Sequence, residues 1–272
     1  MHDLLLNLEL ARRVELAEAQ AAVECAEALE RFRPGSGAAV RRVAGGFAVY
    51  CGKSSPITQA VGMGLDGPVS SEEFDRLEEF YRSREEPVRV ETCPLADPSF
   101  IEQFGQRGYR VTEFSNVMAR HVSPDEPCPE PAPGITIEKA GKDQIDLWTL
   151  TVSQGFAEKF PVSHELLEVM KIFALGPKTE CYLARVDGKV AGGGTLALHD
   201  GVAGLFGAST LPVARRRGVQ AALLQRRLAR ASQAGSDLAV SIAQPGSTSQ
   251  RNILQQGFQV LYTRVKFERE VK

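Results

Sequence analysis

Hydrophobic positions recur with a helical period at the start of the chain. Leu6, Leu10, Val14, Ala17 and Ala21 fall on one face, and Pro34-Gly35 ends the pattern, so a helix is predicted over residues 3–31. Short alternating runs follow. AAVRRV, FAVYCG and ITQAVGMGL read as strands separated by glycine and Ser-Pro turns. SSEEFDRLEEFYRSR reads as a helix capped by Ser70 or Ser71 with Glu73 close behind. PVRVETC is then a strand, DPSFIEQFGQRG a short helix and YRVTEFSNVMARHV a long closing strand. Five prolines in SPDEPCPEPAPG cannot continue a helix or pair in a sheet, and they mark residues 123–133 as a linker.

A similar order returns beyond the linker. GITIEKA is a strand, and residues 142–175 hold two helices around GFAEKFPVSHE. Three strands follow, joined by Asp187-Gly188 and Asp200-Gly201, both strong hairpin turns. Next come the helix GVQAALLQRRLARA, the strand DLAVSIAQ, the helix GSTSQRNILQQG and the closing strand FQVLYTRVKFERE. The two halves overlay: IEQFGQRGYRVTEFSNVMAR matches RNILQQGFQVLYTRVKFER, each a helix, Gln-x-Gly-aromatic and a long strand. This self-similarity points to a duplicated fold, with one domain at 1–122 and a second at 134–272.

Composition narrows the function. With formal net charge −2, general affinity for nucleic acid or anionic membranes is not expected. No apolar run approaches the roughly 20 residues that span a bilayer. The five cysteines are scattered without CxxC spacing, so neither a metal site nor a disulfide framework is expected, and a cytoplasmic setting is.

Against that near-neutral background, GASTLPVARRRGVQAALLQRRLARA concentrates arginine. A strand feeding a helix through a tight glycine turn makes an anion cradle, because the first helical amides are unpaired and carry partial positive charge. Gly218 lets the backbone approach a ligand, and Arg215, Arg216 and Arg217 add charged donors. Arg226, Arg227 and Arg230 are expected mostly on the outer side of the helix. A solvated basic helix face is the plainer alternative.

This strand, turn and helix resemble the acetyl-CoA-binding motif of the GNAT (GCN5-related N-acetyltransferase) superfamily, Arg/Gln-x-x-Gly-x-Gly/Ala. Arg215 stands at its first position and Gly218 at its fourth, while Gln220 departs from the sixth. The resemblance covers about residues 134–270 and includes QGF before the last strand, similar to the family's LGF. It implies an α/β (α+β) fold of two GNAT-like domains, each a mixed, mostly antiparallel sheet flanked by helices. It also implies acetyl-CoA as cofactor, with Ala208, Ser209 and Thr210 pairing with the pantetheine arm. Arg215, Arg216, Arg217, Gly218, Val219 and Gln220 would hold the pyrophosphate, and Asn252 would be a further contact. The equivalent loop of the first half, GLDGPVSSEEF, carries acid and no arginine. Carboxylates there satisfy the helix dipole and repel a pyrophosphate, so the first half reads as degenerate, without a cofactor site.

Catalytic groups are less legible. The strand VAGLFGAST has no Glu, and the helix SQRNILQQ has no Tyr, the groups many family members use. Glu158 and His164, between the two helices expected to shape the acceptor pocket, are the substitutes, with exposed loop positions as the alternative. Ser247 and Tyr262 are further candidates for protonating a thiolate, and His199 reads as surface in its hairpin. Trp148, Phe156 and Phe160 read as core packing or pocket lining. The function expected is acetyl-CoA-dependent N-acetylation of a small-molecule or peptide amine. Alternatives are a non-catalytic acetyl-CoA-binding sensor and a tandem enzyme whose first half helps to bind a larger acceptor.

Overall fold

The computed structural model describes residues 4–157 and 160–270. Among them are seven α-helices and eleven strands, a mixed α/β fold. The chain packs into two compact units. The first comprises Met1–Met118, Ile242–Arg251 and Gln259–Lys272; the second comprises Ala119–Ser241 and Asn252–Phe258.

In the first unit, helix α1 (Leu8–Phe32) begins later than the periodicity suggests. Asn7 explains the difference: its side chain accepts from the Leu10 amide and caps the helix there. Strands β1 (Ala39–Val43), β2 (Gly46–Tyr50) and β3 (Gln59–Val61) form an antiparallel run, and β4 (Val88–Thr92) pairs parallel to β3. Helices α2 (Ser71–Arg82) and α3 (Pro98–Gln106) complete the unit with the core aromatics Phe74, Phe80, Tyr81, Phe100 and Phe104. Ser70 and Glu73 form the expected capping box on α2.

The closing strand of the chain, β11 (Gln259–Arg269), packs in this first unit. It lies between β4 and β5 (Arg110–His121), antiparallel to β4 from Val265–Thr92 to Arg269–Val88. The sequence places residues 259–272 with the second half; packing places β11 with the first. Arg264 is the reason visible at residue level. Its guanidinium is 1% exposed and bonds Glu15 at 2.8 Å, Glu91 at 3.0 Å and Glu18. Tyr262 also donates to Glu15.

In the second unit, β6 (Ile135–Lys139), β7 (Thr179–Val186), β8 (Lys189–His199) and β9 (Val202–Thr210) form an antiparallel run. Strand β10 (Leu238–Ala243) pairs parallel to β9. Asp187 and Asp200 take φ of 51° and 45° in their hairpins, followed by glycines at 76° and 78°, as Asp-Gly turns require. Helices α4 (Ile145–Phe156) and α5 (His164–Ala174) precede β7, and α6 (Val219–Gln233) follows β9. Part of α7 (Thr248–Leu254) completes the unit.

Three consecutive glycines in β8 bring the helices close. A Cβ on Gly193 would stand 2.9 Å from the Trp148 ring nitrogen and from Val152, on α4. A Cβ on Gly194 would stand 3.0 Å from the Arg227 guanidinium carbon, and one on Gly192 would stand 3.4 Å from Val219, both on α6. Alternate strand residues point to opposite faces, so α4 and α6 cover opposite faces of β8.

Candidate functional site

The site is built where β9 hands the chain to α6. The parallel ladder between β9 and β10 runs only from Val202–Leu238 to Gly204–Val240. The Ser241 hydroxyl donates to the Leu205 carbonyl at 2.9 Å, and beyond that point β9 continues in its ladder with β8 alone. Strands that part in this way leave backbone donors and acceptors of one strand unpaired on one side. Opposite β8, β9 bulges: Thr195 faces Phe206 and Gly193 faces Ser209, so three steps of β9 answer two of β8. Gly207 takes φ of 53° there.

After Thr210 the chain makes a short 3-10 turn, Pro212–Ala214, and reaches the arginines. Arg216 and Gly218 both have left-handed φ, 61° and 87°. Glycine accepts that conformation without cost, which is why Gly218 can stand as the N-cap of α6. No side chain caps this helix. Its first turn therefore keeps amide donors that α2, closed by Ser70, does not offer.

The three arginines have different surroundings. Arg215 braces the loop: its Nη2 donates to the Gly155 carbonyl at 3.1 Å and its Nε to the Thr210 carbonyl at 3.3 Å. Arg217 pairs with Asp187 at 3.0 Å across exposed surface. Arg216 is exposed and has no hydrogen-bond or ion-pair partner among the described residues. Gln220 accepts from the Asn252 side-chain amide, which joins the first turn of α6 to α7. The Ser209 hydroxyl donates to the Val152 carbonyl at 2.8 Å and holds β9 against α4. Ala208, Ser209, Thr210, Arg215–Gln220 and Asn252 thus fall on one strand, one turn, the start of α6 and the last turn of α7, in the same unit.

The outer arginines of α6 need correction. Arg226 is exposed, but Arg227 is buried. Arg230 pairs with Glu180 at 2.9 Å. Burial pushes the Glu180 carboxyl up, yet Tyr182, Lys139 and Arg230 together hold it below its ordinary value. The sequence did contain a signal for Arg227: it stands four residues from both Leu223 and Ala231, on the apolar stripe. The glycine run 192–194 was an equally available sign of close backbone approach.

Of the catalytic candidates, Glu158 lies outside the described residues. His164 is the first residue of α5, next to the cap Ser163, and is exposed. It makes no hydrogen bond or ion pair with residues 208–220 among the described residues. Tyr262 is committed to Glu15 in the first unit, where burial pushes its phenol far up. Ser247 accepts from the Gln250 amide at the start of α7. His199 is not on the surface: it is 2% exposed, and burial lowers its imidazole from the ordinary range. Trp148 is core, its ring nitrogen donating to the Tyr182 carbonyl, whereas Phe156 and Phe160 are largely exposed.

Comparison with known proteins meets this geometry. Residues 146–258 match the model of the Acetyltransferase (GNAT) family. No curated protein matches the chain in sequence. Among solved structures, it is similar to a GCN5-related N-acetyltransferase from Kribbella flavida, with TM-score 0.67, 16% identity and coverage of 93% of this chain and 96% of that one. A GCN5-related N-acetyltransferase from Sphaerobacter thermophilus gives TM-score 0.58 and 19% identity over 95% of this chain and 93% of that one. A tandem GNAT protein from the clavulanic acid biosynthesis pathway gives 0.62 and 14% over 90% and 87%. Likenesses at such identity establish the fold. Among the described residues, no helix is long and apolar enough to cross a membrane, and no cluster of His, Cys, Asp or Glu could hold a metal ion.

Proposed function

We propose that this chain, whose residues 146–258 match the model of the Acetyltransferase (GNAT) family, transfers an acetyl group from acetyl-CoA to an amine. The observation that carries the reading is the start of α6: an uncapped helix N-terminus at a left-handed glycine, beside three arginines, at the end of a strand that has parted from its neighbour. The donor set fits a pyrophosphate, since helix amides and guanidinium groups are the ordinary protein partners of phosphate oxygens. In this reading the segment from Arg215 to Gln220 takes the pyrophosphate through the amides that follow Arg215, whose own N–H bonds the Pro212 carbonyl. The backbone of Ala208–Thr210 takes the pantetheine arm, and Asn252, through Gln220, fixes the first turn. When bound, acetyl-CoA supplies the thioester carbonyl that the amine attacks.

The chain's own work is to hold that carbonyl, keep out water and accept a proton from the amine, which must be neutral to attack. Strand β9 carries no carboxylate for that proton. We assign that proton to His164, exposed at the start of α5, and to Glu158, which precedes it in the sequence.

The direct test is thiol release from acetyl-CoA over a panel of small amines and peptides. At least one acceptor is expected to raise the rate above hydrolysis, and His164→Ala is expected to lower that rate by about 100-fold, the lower end of a general base's contribution. Acetyl-CoA binding with no acceptor-dependent release would replace the enzyme reading with that of a sensor.

A further inference from the structure

Arg227 does something that a helix arginine rarely does. It is 3% exposed, and no carboxylate pairs with it among the described residues. Its Nε donates to the Leu223 carbonyl at 3.0 Å, one turn back, and its Nη1 donates to the Thr195 carbonyl at 2.8 Å, on β8. Burying a cation without an anion is costly, and a leucine of similar bulk would fill the space without that cost. The absence of a side chain on Gly194 makes room for the guanidinium.

The bond to Thr195 leads on to β9. Thr195 is fully buried, and its hydroxyl donates to the carbonyl of Phe206, the residue it faces across the ladder. A Cβ on Gly207 would stand 3.1 Å from that same hydroxyl. Phe206 and Gly207 begin the bulge of β9, beyond the end of its ladder with β10. The direction of the backbone groups from Gly207 to Ser209 is therefore set from the β8 side, and at the bulge the contact on that side is Thr195. Burial pulls the Arg227 guanidinium down to about 10, so it stays charged at neutral pH.

We propose that Arg227 and Thr195 are positioning residues, a two-bond relay from α6 through β8 that fixes the β9 bulge and so aims the Gly207–Ser209 backbone at the acyl-bearing arm of the cofactor. The proposal rests on the acetyl-CoA reading of the preceding section. A relay of this kind predicts that the arm, and not the nucleotide end, is lost when it is broken. A filler of the core predicts that both are lost together.

The test uses the full chain and two probes, acetyl-CoA and adenosine 3′-phosphate 5′-diphosphate, which is the same cofactor cut off after its pyrophosphate. Thr195→Val removes the hydroxyl at constant shape. It is expected to weaken acetyl-CoA at least ten-fold while the truncated nucleotide changes less than two-fold, and Thr195→Ser is expected to restore binding to within three-fold. Arg227→Lys keeps the charge but not the fork of donors, and the same selective loss is expected from it should Thr195→Val fail to fold. Equal weakening of both probes with a falling melting temperature would overturn the relay, as would unchanged binding of acetyl-CoA by folded Thr195→Val. Wild-type protein that binds neither probe would overturn the cofactor reading itself.

Discussion

Arg216 holds a backbone conformation that its side chain disfavours, with φ of 61°, and its guanidinium has no partner among the described residues. A non-glycine residue in that region costs on the order of 1 kcal/mol, and such strain concentrates where function needs it. Arg216→Gly is therefore expected to raise stability by about 1 kcal/mol in chemical denaturation while weakening acetyl-CoA by about 2 kcal/mol, the worth of a charged hydrogen bond. A variant that is stabilised and binds unchanged would leave Arg216 outside the site. At this scale the sequence was readable where a residue's chemistry acts locally. Asp-Gly turns, the Ser70 cap and Gly218 are of that kind. It was unreadable where the partner is distant in sequence. Nothing near Tyr262 announces Glu15, and nothing near His199 announces that its hairpin end is buried.

Elements were legible in order and kind because their periods differ, and the helix–strand sequence of both halves appears as expected. What the pattern could not convey is how closely elements approach. Gly193 sits with the Trp148 ring nitrogen, the Tyr182 carbonyl and a Val152 methyl all 2.9 Å from its absent Cβ. Real Cβ atoms do not come that near, and two of the three neighbours are a ring and a backbone oxygen that cannot swing aside. Gly193→Ala is accordingly expected to lower stability by about 1 to 3 kcal/mol, as overpacking does, visible as a melting temperature lower by several degrees. An unchanged melting temperature would mean that α4 is not seated on β8 as described. The contrast between α2 and α6 also belongs to this scale. One helix start is closed by Ser70 and Glu73, and the other is left open behind Gly218.

For the whole molecule, the informative feature is the course of the chain. It leaves the first unit after Met118, returns at Ile242–Arg251, leaves again, and ends there from Gln259. The alternation of FQVLYTRVKFERE marked a half-buried strand but carried no information about which sheet would receive it. Arg264 fixes the answer, since its counter-charges Glu15 and Glu18 are on α1 and Glu91 is on β4. Removing one member of a buried ion pair leaves an uncompensated charge and costs about 3 to 5 kcal/mol. Arg264→Met should thus destabilise the first unit by roughly that amount in denaturant unfolding. A fragment of residues 134–272 keeps the whole arginine–glycine motif but deprives β11 of α1 and β4. It is expected to aggregate or melt earlier than the full chain, and equal melting temperatures and acetyl-CoA affinities would contradict that.

We propose that the start of α6 is open to an anionic cofactor, while the start of α2 in the first half is closed by Ser70 and Glu73. Calorimetric titration of the full chain with acetyl-CoA tests it most directly, with Gly218→Asp as the paired variant. Gly218 has room for a side chain, its nearest neighbour lying 3.9 Å from a Cβ, although its left-handed φ adds strain. One site per chain is expected, with a loss of at least about 2 kcal/mol in the folded variant, from a missing charge-assisted bond and added repulsion. Two sites per chain, or one site that Gly218→Asp leaves unchanged, would contradict it.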